Sequence, residues 1–227
     1  MNERLQFLYP LVIENKIPLP RNLSLEDKSS TAIIDSNNPF RLEYSPDPVV
    51  TNYYESRDNG CVRANNPIPL NAGIYYFEIK ILSKGVHGRA YIGLTSSDSD
   101  LTRAPGWDLD TYGYHGDDGK KFAAQHRGDP YGPTFSTNDI VGCGVNFENQ
   151  TCFFTKNGSC LGIAFREMPM TNLYPTVGHG SNNEAMEVNF GQSPFLYNIK
   201  MEMLLHDSHT KDLTKDLKMK RKNIHRR

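Results

Sequence analysis

Short β-type segments separated by turn residues occupy most of this 227-residue chain. In the clearest segment, Gly73–Leu82, apolar residues alternate with more polar ones, which predicts a strand with one face in a core and one in solvent. No amphipathic helix of about 10–15 residues lies between the segments, which excludes a parallel α/β sheet and favours an antiparallel two-sheet sandwich. The expected core face consists of Tyr75, Phe77, Ile79 and Ile81, and the expected solvent face of Tyr76, Glu78 and Lys80.

The other segments supply the remaining strands of an all-β fold. Gly85 and Gly88 predict a turn that pairs Gly73–Leu82 antiparallel with the next segment. Asn157-Gly158, a dipeptide that tolerates two positive φ angles, predicts the second turn of a three-stranded meander. The stretch Ser45–Gly60, rich in Pro, Asn and Asp, is predicted to be a surface loop. The further strands are predicted at Thr31–Asp35, Phe40–Tyr44, Arg89–Thr95, Asp139–Phe147, Thr151–Thr155, Cys160–Phe165, Leu173–Gly178 and Glu184–Phe190.

The two ends of the chain differ from this central region in composition. Prolines at positions 10, 18 and 20 interrupt the first 30 residues, so residues 1–30 are predicted to lie as an extended strap packed on the domain. Residues 200–227 carry nine Lys and Arg against four Asp and Glu, a net charge of +5, which leaves −6 for the rest of the chain. We therefore divide the chain into a strap (1–30), a β domain (31–199) and a basic tail (200–227) that is expected to be disordered or only partly helical.

Composition excludes several classes of protein. Apolar residues make up 37% and aromatic residues 11%, too many for a disordered chain, and no uninterrupted apolar stretch is long enough for a membrane-spanning helix. The start lacks a secretory signal, so a reducing, cytoplasmic location is expected. Cys143 and Cys152 are expected on partner strands of a hairpin, about 13 Å apart and too far to bridge. Reduced thiols are accordingly predicted at Cys61, Cys143, Cys152 and Cys160.

The sequence shows no motif for a catalytic nucleophile, a cofactor or a phosphate loop. Asp117-Asp118 beside His115, with His126 and Asp129 nearby, is open to a metal or acid–base interpretation. Adjacent residues on a strand point to opposite faces, however, and Asp-Asp-Gly is ordinary turn chemistry. We therefore predict no enzyme activity, no metal site and no cofactor.

A series of short motifs occurs in order along the chain: Leu8-Tyr9-Pro10, Pro18-Leu19-Pro20, Pro67-Ile68-Pro69, Gly73–Lys80, Pro105–Asp108, Tyr112–Gly119, Tyr131–Phe135, Thr155–Gly158, Leu173–Gly178 and Asn189–Gln192. Together they resemble the SPRY domain of the Ran-binding protein M type, a subfamily that includes the scaffold subunit of the GID/CTLH ubiquitin ligase. The resemblance extends from about residue 8 to 199 and implies a bent β-sandwich that binds a short peptide with loops at one end, without catalysis. Longer members continue into LisH and CTLH modules, and residues 201–227 resemble neither module.

The resemblance and the loop chemistry together suggest residues for a peptide-binding rim. Arg63, Arg89 and Arg103, if they converge, suit an acidic or carbonyl-rich peptide, because a guanidinium donates five hydrogen bonds in a fixed fork. Each of these residues also has a purely structural interpretation. Each arginine suits a solvated charge at a strand end, Trp107 suits a core anchor, and His179 suits an ordinary loop histidine. The candidate peptide-binding residues are Arg63, Asn65, Asn66, Arg89, Arg103, Trp107, Tyr112, Tyr114, His115 and His179.

These observations predict a protein-interaction adaptor, with a substrate-recruiting or regulatory component of a GID/CTLH-type ubiquitin ligase as the alternative. The expected partners of an adaptor are short peptide segments of other proteins. If the chain is a ligase component, its expected partners also include other ligase subunits. The acidic folded part argues against nucleic acid as the main ligand. The decamer Lys218–Arg227 suits a nuclear import signal, a patch for nucleic acid or anionic lipid, or a solubilising tail.

Overall fold

The computed structural model of the protein describes residues 3–44, 59–169 and 171–204, in two compact units, 1–197 and 198–227. The first unit contains nearly all the regular structure, and the second is helical at residues 199–204. Two short helices, α1 (Glu3–Leu8) and α2 (Pro10–Glu14), precede the strands. The strands are β1 Leu23–Lys28, β2 Ala32–Asp35, β3 Asn38–Tyr44, β4 Val62–Ala64, β5 Ile74–Lys84, β6 Ala90–Thr95, β7 Thr111–His115, β8 Lys120–Ala123, β9 Asp129–Pro130, β10 Ile140–Asn146, β11 Thr151–Lys156, β12 Ser159–Phe165, β13 Tyr174–His179 and β14 Glu184–Asn189.

The strands form two antiparallel sheets of seven strands each, which confirms the predicted all-β sandwich. Sheet A has the order β1-β4-β13-β6-β7-β8-β9, and sheet B has the order β12-β11-β10-β5-β14-β3-β2. Aromatic side chains fill the space between the sheets: the Tyr114 ring of sheet A lies 5.3 Å from that of Phe154 in sheet B. Both side chains are fully buried, so they anchor the core.

The meander formed by β10, β11 and β12 is confirmed as predicted. Its second turn places Asn157 at a φ of 49° and Gly158 at 79°, the two positive values that the dipeptide favours.

The predicted pairing of Gly73–Leu82 with Arg89–Thr95 is wrong. Strand β5 lies in sheet B between β10 and β14, whereas β6 lies in sheet A between β13 and β7. The connection from Gly85 to Arg89 therefore crosses from one sheet to the other. Turn residues between two β-type segments do not reveal whether the chain returns along the same sheet, and in this sandwich it changes sheets.

Of the three residues predicted on the solvent face of β5, Tyr76 and Glu78 are buried, so the prediction is wrong for them, whereas Lys80 is exposed as predicted. Tyr76 is fully buried beneath Phe153, Phe195 and Tyr197, with ring centroids 5.0 to 6.2 Å away. The Glu78 carboxylate accepts hydrogen bonds from the backbone N–H groups of residues 196 and 197, each at 3.0 Å. A segment far along the chain thus covers a face whose alternating pattern looks amphipathic.

The N-terminal strap is extended only in part. Residues 3–8 form α1 and residues 10–14 form α2, so the prediction of extended chain is wrong there. Pro10 is compatible with α2 because it occupies the first turn, where its missing N–H is tolerated. Residues 23–28 become an edge strand of sheet A. Tyr9, Val12 and Leu19 are buried, so this region packs on the domain.

Cys143 and Cys152 lie close together rather than about 13 Å apart. The register pairs Cys152 with Val145, which puts Cys143 on the same face, one diagonal position away. Their sulfur atoms are 4.0 Å apart, and both residues are free thiols, as are Cys61 and the exposed Cys160. The predicted pairing of Cys152 with Phe147 is wrong by two residues, but the prediction of reduced cysteines agrees with the structure.

A long loop, residues 96–110, covers the outer face of sheet A. Leu101 and Ala104 of this loop pack with Cys61 and Tyr91 in a small buried cluster. The Pro105 carbonyl oxygen lies over Gly113 of β7, and a Cβ atom at Gly113 would stand 2.0 Å from it. The glycine therefore permits the loop to lie against the sheet. The loop connects β6 to β7, a strand that is absent from the predicted set.

Candidate functional site

One end of the sandwich gathers four chain segments into a continuous surface, which we call the rim: residues 59–60, 85–89, 101–103 and 179–183. Strand β6 begins and β13 ends at this end of sheet A, because His179 pairs with Ala90. Backbone hydrogen bonds join the segments: His179 N–H donates to Asn59 O at 3.1 Å, and Asn59 N–H donates to Thr102 O at 2.8 Å. Gly180 N–H donates to Arg89 O at 2.9 Å.

The buried Glu184 carboxylate forms hydrogen bonds to two of these segments, 85–89 and 179–183. It accepts hydrogen bonds from the N–H groups of Gly180 (3.0 Å) and Ser181 (2.9 Å), from the Ser181 hydroxyl (2.6 Å) and from the N–H of Arg89. Glu184 is 1% exposed. The β5–β6 and β13–β14 connections are consequently held together through one buried acid.

Burial shifts the pKa values of this acid and of the histidine beside it. Desolvation raises the pKa of Glu184 to about 7, against the four donors that lower it. Desolvation lowers the pKa of His179 to about 4, against a hydrogen bond to the Leu42 carbonyl oxygen that raises it. His179 Nδ1 lies 3.9 Å from a Glu184 oxygen, so a neutral imidazole faces an acid that titrates near neutral pH.

We expect Glu184→Gln to change how stability depends on pH. The pKa of Glu184 in the folded chain, about 7, lies above the ordinary value of 4.5 for a glutamate, so its contribution to stability is complete below pH 4.5 and is lost as the pH rises through 7. Between pH 7.5 and 5 the wild type should therefore gain about 2 kcal/mol relative to the variant. His115 and His179, whose pKa values are lowered to about 4, act in the opposite direction but are present in both proteins. Urea unfolding at both pH values measures the difference, and parallel profiles would contradict the assignment.

Of the ten predicted peptide-binding residues, Arg89, Arg103 and His179 lie at the rim. Arg89 is half-buried at the start of β6, with its backbone bonded to Gly180 and Glu184. His179 is 1% exposed and points between the sheets, so its side chain supports the rim from inside.

The three predicted arginines do not converge. Arg63 is buried on the outer face of sheet A, where it donates to Asp27 (2.6 Å), to the Ser99 carbonyl oxygen (2.6 Å) and to the Thr95 hydroxyl (3.1 Å). Thr95 is at the end of β6 and Arg89 precedes its start, so the two arginines are separated by the length of the strand. Arg63 is a structural residue, because its donors are used within the fold.

The Arg103 side chain forms contacts with other residues of its own loop. Its guanidinium pairs with Asp108 at 2.9 Å, donates to the Trp107 carbonyl oxygen at 3.0 Å, and lies 3.1 Å from His126 Nε2. Its backbone belongs to the rim segment 101–103, next to Thr102. Arg103 therefore stabilises the loop that contributes to the rim.

Asn65 and Asn66 lie at the opposite end of the sandwich. They follow β4, which is antiparallel to β13, so they are near the start of β13 and not near His179. The Asn65 Oδ1 atom accepts from Arg21 N–H at 3.0 Å, and Asn66 Nδ2 donates to the Leu19 carbonyl oxygen at 3.1 Å. These two side chains position the N-terminal segment.

The predicted aromatic group is largely internal. Tyr114 is fully buried between the sheets, and His115 is 2% exposed beneath the Pro105 carbonyl oxygen, 2.9 Å from its Nε2. Trp107 is half-buried against the cluster of Cys61 and Tyr91, which agrees with its interpretation as an anchor. Tyr112, also half-buried, lies 5.3 Å from the Phe165 ring. Peptide contact by these residues stays a prediction, and Tyr114 and His115 would have to move to make it.

Sequence reasoning missed Asn59 and Glu184, which hold the rim together. Glu184 was assigned only to a strand, and no local pattern distinguishes a buried acid from an exposed one there. Asn59 accepts from the Tyr91 hydroxyl at 3.2 Å, a contact across 32 residues that the sequence does not reveal.

The described residues provide neither a metal site nor a membrane-spanning helix. Among residues 3–44, 59–169 and 171–204, no group of three or more His, Cys, Asp and Glu residues could hold a metal ion. In the same ranges, no helix has the length and apolar character needed to cross a bilayer.

Comparison with known proteins identifies the fold family. The SPRY domain family model matches residues 74–193. The chain is 49% identical over 200 residues to Ran-binding protein 10 of Danio rerio, covering 88% of this chain and 32% of that protein. It is 48% identical over 200 residues to human Ran-binding protein 9, covering 88% of this chain and 26% of that protein. The matched region thus spans about a third or less of these relatives.

A more distant relative and two solved structures agree. A Ran-binding protein M homolog of Arabidopsis thaliana is 40% identical over 163 residues, covering 70% of this chain and 35% of that protein. The crystal structure of a human SPRY domain superposes with a TM-score of 0.62 at 28% identity, covering 73% of this chain and 98% of that one. The SPRY domain of human HERC1, at 18% identity and a TM-score of 0.59, covers 76% of this chain and 99% of that one and shows the same fold. The chain belongs to the SPRY domain family, whose members are protein-interaction modules, and is similar to Ran-binding proteins 9 and 10.

Proposed function

We propose that this chain is a non-catalytic adaptor that binds a short, extended segment of a partner protein at the rim. The observation that carries the proposal is the joining of the four rim segments by backbone hydrogen bonds and by the Glu184 carboxylate. A surface held in this way loses little conformational entropy when a ligand binds, so its contacts contribute to affinity.

The chemistry of the rim favours peptide ligands with acceptor groups. Arg89 contributes a guanidinium there, and this group recognises carboxylate and carbonyl oxygens in a planar, bidentate manner. Thr102 and Asn182 are exposed and offer a hydroxyl and a side-chain amide. We therefore expect the partner segment to present carbonyl or acidic side-chain oxygens.

Substitution of exposed rim residues should abolish capture of the partner. In proximity labelling or affinity mass spectrometry from the native cell, Arg89→Glu combined with Asn182→Glu should lose partners by at least about tenfold, because the two new carboxylates repel a segment that presents acceptor oxygens. Thermal unfolding should confirm that the variant is folded.

The matched control is Leu109→Arg, an 80% exposed position in the loop that precedes β7, at the opposite end of β6 from Arg89. This control should retain the partners. Equal recovery of every partner with the rim variant would contradict the assignment of the rim.

The similarity to Ran-binding proteins 9 and 10 favours a second candidate function, a substrate-recruiting or regulatory component of a GID/CTLH-type ubiquitin ligase. The 49% identity over 200 residues supports it. Affinity purification of the tagged chain should then recover other ligase subunits. Their consistent absence from the native cell would remove this candidate.

The basic tail, most of which lies outside the described residues, gives a separate expectation about location. We propose a cytoplasmic protein in which the decamer Lys218–Arg227 acts as a nuclear import signal. Microscopy should find the full chain partly in the nucleus, and a chain that ends at Ile199 should lose that nuclear fraction.

A further inference from the structure

A groove separate from the rim lies between α2 and the segment that follows it. Its volume is about 590 Å³, and its lining includes Ile13, Ile17 and Leu19. Ile13 and Ile17 are only half-buried, whereas Leu19 is fully buried and forms the floor. The groove thus presents apolar side chains to solvent.

The groove is held in a fixed shape. Asn66 binds the Leu19 carbonyl oxygen, and Asn65 accepts from the Arg21 and Asn22 N–H groups at 3.0 and 3.4 Å. At the other wall, Ile17 N–H donates to the carbonyl oxygen of residue 12 at 3.0 Å and closes the end of α2. A ligand would therefore meet a preformed surface.

The charged residues that line the groove are both cationic. Lys16 and Arg21 are exposed at its mouth. Within the part of the chain that the structure describes, neither side chain forms an ion pair. Lys16 also has a φ of 56°, a helix-ending conformation that suits glycine better. A lysine thus occupies a position where the backbone alone would favour glycine.

We propose that this groove binds an acidic segment of a partner protein, which inserts an apolar side chain against Ile13 and Ile17 and pairs its carboxylates with Lys16 and Arg21. Charge complementarity selects this occupant. The chain's own tail carries a net charge of +5 and would be repelled by the two cations.

The position of the groove makes it independent of the rim. Asn66 lines the groove at the end of sheet A where β13 begins, and the rim is where β13 ends. One chain can therefore hold two protein segments at once, one at each end of the sandwich.

Synthetic peptides test the proposal directly. The probes are labelled twelve-residue peptides with four Glu or Asp and two Leu or Phe at varied spacing, titrated into the full chain at low ionic strength, where charge pairing is least screened. At least one peptide should bind and shift the isoleucine methyl NMR signals of Ile13 and Ile17. Replacing its acids with Gln or Asn should weaken binding by at least about tenfold.

Variants of the chain separate binding from folding. Lys16→Glu with Arg21→Glu should weaken the peptide by at least about tenfold, whereas Arg89→Glu at the rim should leave its affinity unchanged. Lys16→Gly should weaken binding while the Tm stays equal or rises, because glycine adopts the positive φ without strain. A purely structural Lys16 would not give this combination.

Three results would overturn the proposal. The first is that none of the peptides shifts the Ile13 and Ile17 signals, and the second is that the double charge reversal leaves the affinity unchanged. The third is that sedimentation shows a dimer which the double variant converts to a monomer, because the groove would then be an interface between two copies of this chain.

Discussion

Replacing Arg63 with alanine is expected to lower the free energy of unfolding by about 3 kcal/mol. The guanidinium is almost fully buried and makes an ion pair with Asp27 and hydrogen bonds to Ser99 and Thr95. Its removal leaves the Ser99 carbonyl oxygen without this donor and opens a cavity beside Tyr174, whose ring centroid is 5.9 Å from the guanidinium carbon. Urea unfolding followed by fluorescence measures the loss.

A surface arginine on the opposite sheet is the control for Arg63. Arg41 pairs with Glu43 on β3, and both side chains are 39% or more exposed. Arg41→Ala should cost less than about 0.5 kcal/mol, because an exposed ion pair is screened by water. Equal losses in the two variants would show that Arg63 is not a structural residue. A failure of Arg63→Ala to bind partners must accordingly be interpreted together with its stability.

Replacing Gly113 with alanine should cost about 3 kcal/mol and lift the loop of residues 96–110 from sheet A. The new Cβ atom would stand 2.0 Å from the Pro105 carbonyl oxygen, a backbone atom that can move only with the loop. The reactivity of Cys61 reports the movement, because its thiol is fully buried under this loop and lies 3.4 Å from the Arg103 carbonyl oxygen. A thiol reagent should modify only Cys160 rapidly in the wild type, and Cys61 as well in the variant.

Gly88→Ala provides the comparison for Gly113→Ala. Gly88 has a φ of 68°, but a Cβ atom there meets nothing within 4 Å. The variant should therefore cost only about 1 kcal/mol, the strain of a positive φ, and leave Cys61 protected. If Gly113→Ala had the same effect as Gly88→Ala on the free energy of unfolding and on the reactivity of Cys61, the close approach of the loop would not require glycine at position 113.

Local patterns predicted the strands of this fold better than their pairing. Alternation and turn chemistry located β5, β10 and β14 and the Asn157-Gly158 turn, because each depends on neighbouring residues. The crossing from β5 to β6 and the covering of Tyr76 by Tyr197 depend on contacts between distant segments, which no local period encodes. The short strand β7, with glycine at its centre, was not predicted for the same reason.

The candidate site was predictable only in part. The turn at Gly85 and Gly88 identified a segment that does reach the rim, and the resemblance to the family pointed to loops at one end. The burial of Arg63 could not be anticipated, because its partners Asp27 and Thr95 are each more than 30 residues away in the chain. Asn65 and Arg89 looked equivalent as loop residues, yet the direction of β4 and β6 places them at opposite ends.

The crossing from β5 to β6 also affects how a ligand would act on the domain as a whole. The segments 85–89 and 180–183 each join a strand of one sheet to a strand of the other. A peptide that contacts both connections can remain bound only while the two sheets are packed together, so its binding is linked to global unfolding and not to the opening of a single loop. At a free concentration one hundred times its Kd, such a ligand would add about 2.7 kcal/mol to the free energy of unfolding of the entire sandwich.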